Sequence, residues 1–321
     1  MIEIKKNIAI LGANSHIAKG LIENFFVQTG FNMHLFARSQ DRQELISFLK
    51  SIGLKNSGRI KIYFSYSQFF NGNYDAIINC VGVGTKKQED CDYSDYFIIT
   101  ETYDNLAIDY LRHKNAQAIY ISFSSGVVYG KDFSKPAVDR TTNEIFVNYI
   151  EKNQYYAIAR LNAETKHRSL EEYNIVDLRL FSYFSKFINL KDNYFIAELA
   201  NCVLRKSTFE TDEKNFIRDY LHPADLFHAV CLCLQKKKIN SSFDISSRKP
   251  ISKKEILDYF SRAYGLKYRI NFKNSPSGGT GLKLRYYSLR KTTKEIGYSA
   301  KFTSFQTIKD GMEGLLKIHH N

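Results

Sequence analysis

Ile8-Ala9-Ile10-Leu11-Gly12-Ala13-Asn14-Ser15-His16-Ile17-Ala18-Lys19-Gly20 is the stretch that decides the fold. Four apolar residues stop abruptly at Gly12, and an amphipathic run follows from Ile17 to Val27. This reads as a buried strand, a tight turn and a helix. Gly12 permits the turn, and the small residues Ser15 and Ala18 let helix and backbone come close. A helix starting here points its free N–H groups and positive dipole end beyond the strand, which suits a pyrophosphate. Gly12, Asn14, Ser15, His16 and Ile17 are therefore cofactor-contact candidates, His16 through its backbone more than its ring.

Working outward, short apolar runs alternate with amphipathic ones. Strands are predicted at 33–37, 60–64, 76–81, 118–123 and 175–181, and helices at 43–49, 103–111 and 154–170. That alternation predicts an α/β fold, a Rossmann-type doubly wound parallel sheet covered on both faces. After Phe181 the rhythm changes to helices at 195–204, 226–234 and 256–264, an extended piece at 242–245 and a Ser/Gly/Pro-rich loop at 274–281. We read residues 1–182 as a dinucleotide-binding domain. Residues 183–321 form a smaller, mainly substrate-binding lobe, with 223–238 packing back on the first domain. The ligand cleft of such a sheet lies beyond the carboxyl ends of its strands, under this lobe.

Composition bounds the function. The 321 residues carry 46 Lys and Arg against 33 Asp and Glu, a net charge of +13. That excess raises nucleic acid, an acidic membrane surface or a phosphorylated ligand as partners. The basic residues are dispersed, however, and Lys236-Lys237-Lys238 is short, so no nucleic-acid partner is expected. No apolar run approaches the roughly 20 residues of a membrane span, and Met1 to Gly12 lacks the pattern of a signal peptide. Cys80, Cys91, Cys202, Cys231 and Cys233 are odd in number and form no CxxC pair, which predicts reduced thiols and a cytoplasmic location. Cys231 and Cys233 fall on an apolar helix and read as core. The eight histidines contain no HxxxH pair, so no metal is expected.

Three further segments carry chemistry. The second strand ends in Phe36-Ala37-Arg38-Ser39, where a dinucleotide fold reads the adenosine ribose. An acidic residue there favours a 2′-hydroxyl, whereas Arg favours a 2′-phosphate. With Arg38 and Ser39 in place and no carboxylate before Asp41, NADP(H) is favoured over NAD(H). The fifth strand runs into Ser122-Phe123-Ser124-Ser125-Gly126-Val127-Val128-Tyr129-Gly130. About thirty residues on come Tyr156 and Arg160. A Tyr and a cation at i, i+4 share one helix face, and the cation favours the phenolate. Ser125 can then hold a carbonyl oxygen while Tyr156 passes a proton to or from it.

With these motifs assembled, the chain resembles an extended short-chain dehydrogenase/reductase of the NAD-dependent epimerase/dehydratase type, over nearly its whole length. Gly12, Ser15 and Ala18 match the family's three-glycine turn with two glycines replaced. Asn79-Cys80-Val81-Gly82 resembles the strand-four motif along the cofactor, which adds Cys80, Val81 and Gly82 to the cofactor contacts. Ser124 to Gly130 matches the serine motif, with Ser125 at the catalytic Ser/Thr position and Tyr156 at the catalytic tyrosine. Leu178-Arg179-Leu180-Phe181 resembles the strand that closes the cofactor site. Arg218 to Asp225 is similar to a late motif whose Arg meets the substrate diphosphate. Ser288 to Lys291 and Glu295 to Tyr298 resemble the C-terminal motif, with Arg285 placed for another phosphate contact. The resemblance thus implies Ser125, Tyr156 and Arg160 as catalytic and Ser124, Ser125, Tyr183, Arg218 and Arg285 as substrate-binding. One position departs from the family: Arg160 stands where the family has the ribose-binding Lys. Arg keeps the charge but is bulkier, planar and never neutral.

The subfamilies separate on small cues. The resemblance assigns 4,6-dehydratases an Asp-Glu pair after the catalytic residue, where this chain has Gly126 and Val127. Bifunctional epimerase-reductases use a cysteine where Val127 stands. The expectation is an NADPH-dependent reductase of a 4-keto sugar on a nucleoside diphosphate, in bacterial surface-polysaccharide sugar synthesis. The alternatives are a nucleotide-sugar 4-epimerase with tightly held NAD, or a non-catalytic dinucleotide-binding protein, which Arg160 alone favours. Dimers are common in the family through helices matching Leu106–Leu111 and Tyr156–Lys166, so a homodimer is the implied assembly.

Overall fold

The computed structural model describes residues 6–54, 57–83, 92–271 and 283–320. The first five residues, Cys91 and the 274–281 loop lie outside the described residues. The chain runs β1 (Asn7–Leu11), α1 (His16–Gln28), β2 (Asn32–Phe36), α2 (Arg42–Ser51), β3 (Ile60–Tyr63), β4 (Ala76–Asn79), α3 (Asp95–His113), β5 (Ile119–Ser125), α4 (Tyr155–Ser169) and β6 (Asn174–Leu180). It continues through β7 (Ser182–Tyr183), α5 (Phe195–Arg205), β8 (Phe209–Thr211), β9 (Ile217–Arg218), β10 (Tyr220–Leu221), α6 (Pro223–Leu234) and β11 (Asn240–Ile245). The last elements are β12 (Ile251–Ser252), α7 (Lys253–Tyr264), β13 (Tyr268–Ile270), β14 (Arg285–Tyr286) and α8 (Ser304–His320).

The predicted doubly wound sheet is present. Seven strands lie in the order β11-β6-β5-β4-β1-β2-β3, every pair parallel. Alternation along β1 explains why its residues read as one continuous apolar run: both faces are covered. Ile8 and Ile10 pack with Leu21 and Phe25 of α1, Leu45 of α2 and Leu226 of α6. Ala9 and Leu11 pack with Ala107, Tyr110 and Leu111 of α3 on the opposite face. Each fully buried Leu, Ile or Phe side chain contributes about 1.5–3 kcal/mol. The strand order reverses between β1 and β4, and a ligand crevice opens at such a switch point.

A second apolar cluster joins α5, α7 and α8 through Leu199, Phe260, Ile308 and Met312. The chain does not pass once from the sheet to this cluster. The extended piece at 242–245, placed with the later lobe by its sequence position, is the end of β11 and pairs with β6. Phe243 and Ile245 are buried with α6 in the cluster that covers β1. The reason is the parallel crossover: α6 packs on α1, which carries the returning strand to the free edge of β6.

Candidate active site

The turn after β1 is built as a close backbone approach. Gly12 has φ +69°, and a Cβ there would sit 2.9 Å from the Val81 nitrogen. Ser15 caps α1 by accepting from the Ala18 nitrogen at 3.3 Å. Gly12 N donates to Tyr66 Oη at 3.1 Å, and Tyr66 Oη donates to the Phe36 carbonyl. Tyr66 thus clamps the turn to the end of β2, a role that its place in an irregular segment hid from sequence reasoning. Asn14 Nδ2 and Lys19 Nζ both donate to Glu44, which leaves Asn14 Oδ1 buried with no partner among the described residues. His16 Nε2 lies 2.7 Å from Ser185 Oγ. Burial drives the His16 pKa down to about 3, against the Ser185 bond and with help from Lys19, so the ring is neutral. Ile17 packs on the core under α1. The bare turn and the free N–H groups of the capped helix fit a dinucleotide's phosphates.

Arg38 follows β2, but it does not stand alone. Its Nε and Nη2 bind the two Asp41 oxygens at 2.9 and 3.1 Å, and these bonds raise its pKa. A carboxylate three residues downstream therefore meets the guanidinium that the sequence reading left free. Ser39 begins the single turn that brings Asp41 round.

At the carboxyl ends of β4 and β5 the remaining residues gather. Asn79 Oδ1 accepts from Val81 N and fixes the peptide that carries Cys80 and Val81. Cys80 is buried, which raises its pKa and keeps it a thiol. A Cβ on Gly82 would lie 3.2 Å from Arg160 Nη2, so the guanidinium sits directly beside this peptide. Arg160 donates to the Phe123 carbonyl, stacks its cation 5.3 Å from the Tyr156 ring centroid, and leaves Nε buried and unpartnered. Burial disfavours its charge, but the Tyr156 oxygen outweighs this and its pKa is raised. Ser125 Oγ lies 2.9 Å from Tyr286 Oη, and Tyr156 packs into the same cluster as Tyr286 and Phe181. Ser125, Tyr156, Arg160 and Gly82 thus converge, and Tyr286 joins them. Tyr286 was missed because it stands before the C-terminal motif on a strand of two residues.

Three substrate-contact expectations are corrected. Ser124 Oγ donates to Glu164 Oε1 at 2.5 Å and is buried. Successive strand residues point to opposite faces, so Ser124 turns under α4 while Ser125 turns to the cleft. Tyr183 lies under α1, with its ring 4.8 Å from that of His16 and its hydroxyl against Gly20. Arg285 is exposed, because its neighbour Tyr286 takes the inward position on β14. Arg218 is buried, with its guanidinium 4.5 Å from the Phe216 ring and 5.5 Å from the Tyr286 ring. It donates to the Lys283 carbonyl, and Lys283 Nζ lies 4.4 Å from the Tyr286 ring. Lys283, adjoining the Gly-rich stretch, had no motif to mark it.

A buried polar network supports the site. Glu164 receives Ser124 and Arg179. Tyr129 donates to Asp244 at 2.8 Å and receives Arg179 and Arg290. Ser288 donates to Asp244 at 2.6 Å. The C-terminal motif is thereby tied to the serine motif. Among the described residues no helix is long and apolar enough to cross a membrane. None of their His, Cys, Asp and Glu side chains form a group of three or more placed to hold a metal.

Known proteins share the fold. Residues 8–246 match the NAD dependent epimerase/dehydratase family, and the chain belongs to it. The structure is similar to that of UDP-glucuronic acid 4-epimerase from Bacillus cereus in complex with UDP-glucuronic acid and NAD, with TM-score 0.77, 14% identity, and 97% and 99% of the two chains covered. It is similar to UDP-glucose-4-epimerase from Stenotrophomonas maltophila with bound NAD, with TM-score 0.80, 14% identity, and 98% and 99% covered. It is also similar to dTDP-glucose 4,6-dehydratase from Bacillus anthracis with NAD, with TM-score 0.75, 14% identity, and 98% of each chain covered. No curated protein sequence matches the chain significantly.

Proposed function

We propose that the protein is a nucleotide-sugar 4-epimerase that works with a retained NAD. The observation that carries this reading over reduction by NADPH is the Arg38–Asp41 pair, which occupies the guanidinium a 2′-phosphate needs. A bound nicotinamide dinucleotide supplies a hydride acceptor and donor. Gly12, the α1 N-terminus, Cys80, Val81 and Gly82 would hold it, with Arg160 at the ribose. Ser125 donates a hydrogen bond to the sugar's C4 oxygen. Tyr156 takes the proton from that hydroxyl and returns it once the sugar presents its other face, so proton and hydride both balance. Arg160, charged at all working pH values, fixes a positive field beside Tyr156. Arg218, buried beside Tyr286, would meet the substrate diphosphate. Gly126 and Val127 offer no acid or base for water loss, which speaks against a dehydratase. The helices α3 and α4 are the surface for a homodimer.

A second reading keeps NADPH and 4-ketoreduction. It is favoured by the exposure of Arg38, whose side chain is 61% accessible beside Asp41 and can exchange partners. Mass spectrometry of what co-purifies, followed by incubation with UDP-glucose and UDP-glucuronic acid without added cofactor, tests the proposal. C4-epimerised product with retained NAD supports epimerisation. Consumption of added NADPH with a 4-keto nucleotide sugar, and no epimer, establishes the second reading instead.

A further inference from the structure

We propose that Lys283 is a phosphate-binding residue, which completes with Arg218 a cation pair that receives the diphosphate of the sugar nucleotide. This rests on the nucleotide-sugar reading above and adds a residue that no motif marks. Arg218 and Lys283 belong to adjoining segments, and Arg218 donates to the Lys283 carbonyl. Both cations lean on one ring, that of Tyr286, at 5.5 and 4.4 Å. The same Tyr286 holds Ser125 through its hydroxyl, so the pair borders the reacting end of the cleft. Among the described residues, neither has a carboxylate within ion-pair distance. The titratable groups that act on Arg218 are Tyr220 and Tyr286, and those around Tyr286 include Tyr156 and Tyr194; all are phenols. A buried charge such as that of Arg218 is ordinarily paired; among the described residues Arg218 and half-buried Lys283 share an aromatic shelf with no carboxylate beside them, the partner that a doubly charged anion would supply. A single lysine over a ring is commonplace; the second cation is what points to a ligand.

Loss of a proton from Lys283 relieves the repulsion between the two cations. Burial and the neighbouring Arg218 push the Lys283 pKa down to about 7, while Arg218 keeps its charge. A bound diphosphate favours the ammonium again, so binding above neutral pH draws a proton from solution.

Calorimetry with UDP-glucose in two buffers of different ionisation enthalpy tests this, because its diphosphate is a diester that does not titrate near neutrality. The wild-type protein is expected to take up close to one proton at about pH 8.5 and almost none at about pH 5.5. Lys283→Met should weaken binding roughly 10- to 100-fold at neutral pH and abolish the uptake. Lys283→Arg keeps the charge and cannot lose it, so it should bind with no uptake at any pH and separates charge from packing should the Met variant not fold. Equal affinity and equal uptake in wild type and Lys283→Arg overturn the role of Lys283 while leaving the nucleotide-sugar reading intact. If the wild type binds none of UDP-glucose, dTDP-glucose and GDP-mannose, both fall together.

Discussion

Single side chains divide the work in the cleft. If Tyr156 moves the proton, Tyr156→Phe should lower turnover about 10²- to 10⁴-fold while calorimetric affinity for the sugar nucleotide changes little. Tyr286 is a different case. Burial keeps its pKa high, so it is a phenol that can donate to Ser125 and leave the serine proton for the substrate. Tyr286→Phe removes one neutral hydrogen bond, worth about 0.5–1.5 kcal/mol, and should cost up to roughly ten-fold in kcat with KM nearly unchanged; steady-state kinetics reads both. Asp41 offers a third test. Asp41→Ala frees the Arg38 guanidinium, and fluorescence titration should show affinity for NADP relative to NAD rising by about ten-fold or more. An unchanged ratio would remove Asp41 from cofactor choice.

Among the elements, the β1–α1 turn has the least latitude. Gly12→Ala must adopt a left-handed conformation, costing about 1–2 kcal/mol, and must also displace the Val81 peptide. Urea unfolding should show that loss or more, and the protein should purify without dinucleotide. This turn was legible in sequence because a strand end, a glycine and a capping serine are local features. Ser125, Tyr156 and Arg160 were legible through their spacing. Tyr286 and Lys283 were not, because their contacts with Ser125 and Arg218 close over sequence separations of 161 and 65 residues. Ser124 was misread for a subtler reason: two adjacent serines look alike in a motif, yet on a strand they face opposite ways. Arg38 was seen correctly as a residue, but its partner depended on a short turn that composition does not reveal.

Across the whole molecule, the buried ion group beneath the sheet makes its own contribution to the pH dependence of stability. His167 Nε2 lies 2.6 Å from Asp104 and its Nδ1 lies 2.9 Å from Asp177, with all three side chains inaccessible. Burial opposes its charge, but Asp177 and Asp104 raise its pKa to about 9. A folded pKa above the unfolded value of about 6.5 means that stability is fully present below about pH 6.5 and is lost as pH rises through about 9. The loss is on the order of 3 kcal/mol. Denaturant midpoints of the wild type and of His167→Gln, taken from about pH 6 to pH 10, should converge across that window, the wild-type advantage at about pH 6 being lost by about pH 10.

The pairing of β11 with β6 has a practical meaning for anyone dividing this chain. A fragment ending at residue 182 would leave six ladder positions of β6, from Ile175 to Leu180, without their neighbour. A long apolar strand edge of that kind recruits other chains. Such a piece should precipitate or pair with itself unless residues 223–245 are supplied on a second polypeptide. A dinucleotide-binding half that survives alone must therefore borrow a strand from what sequence order assigns to the other half.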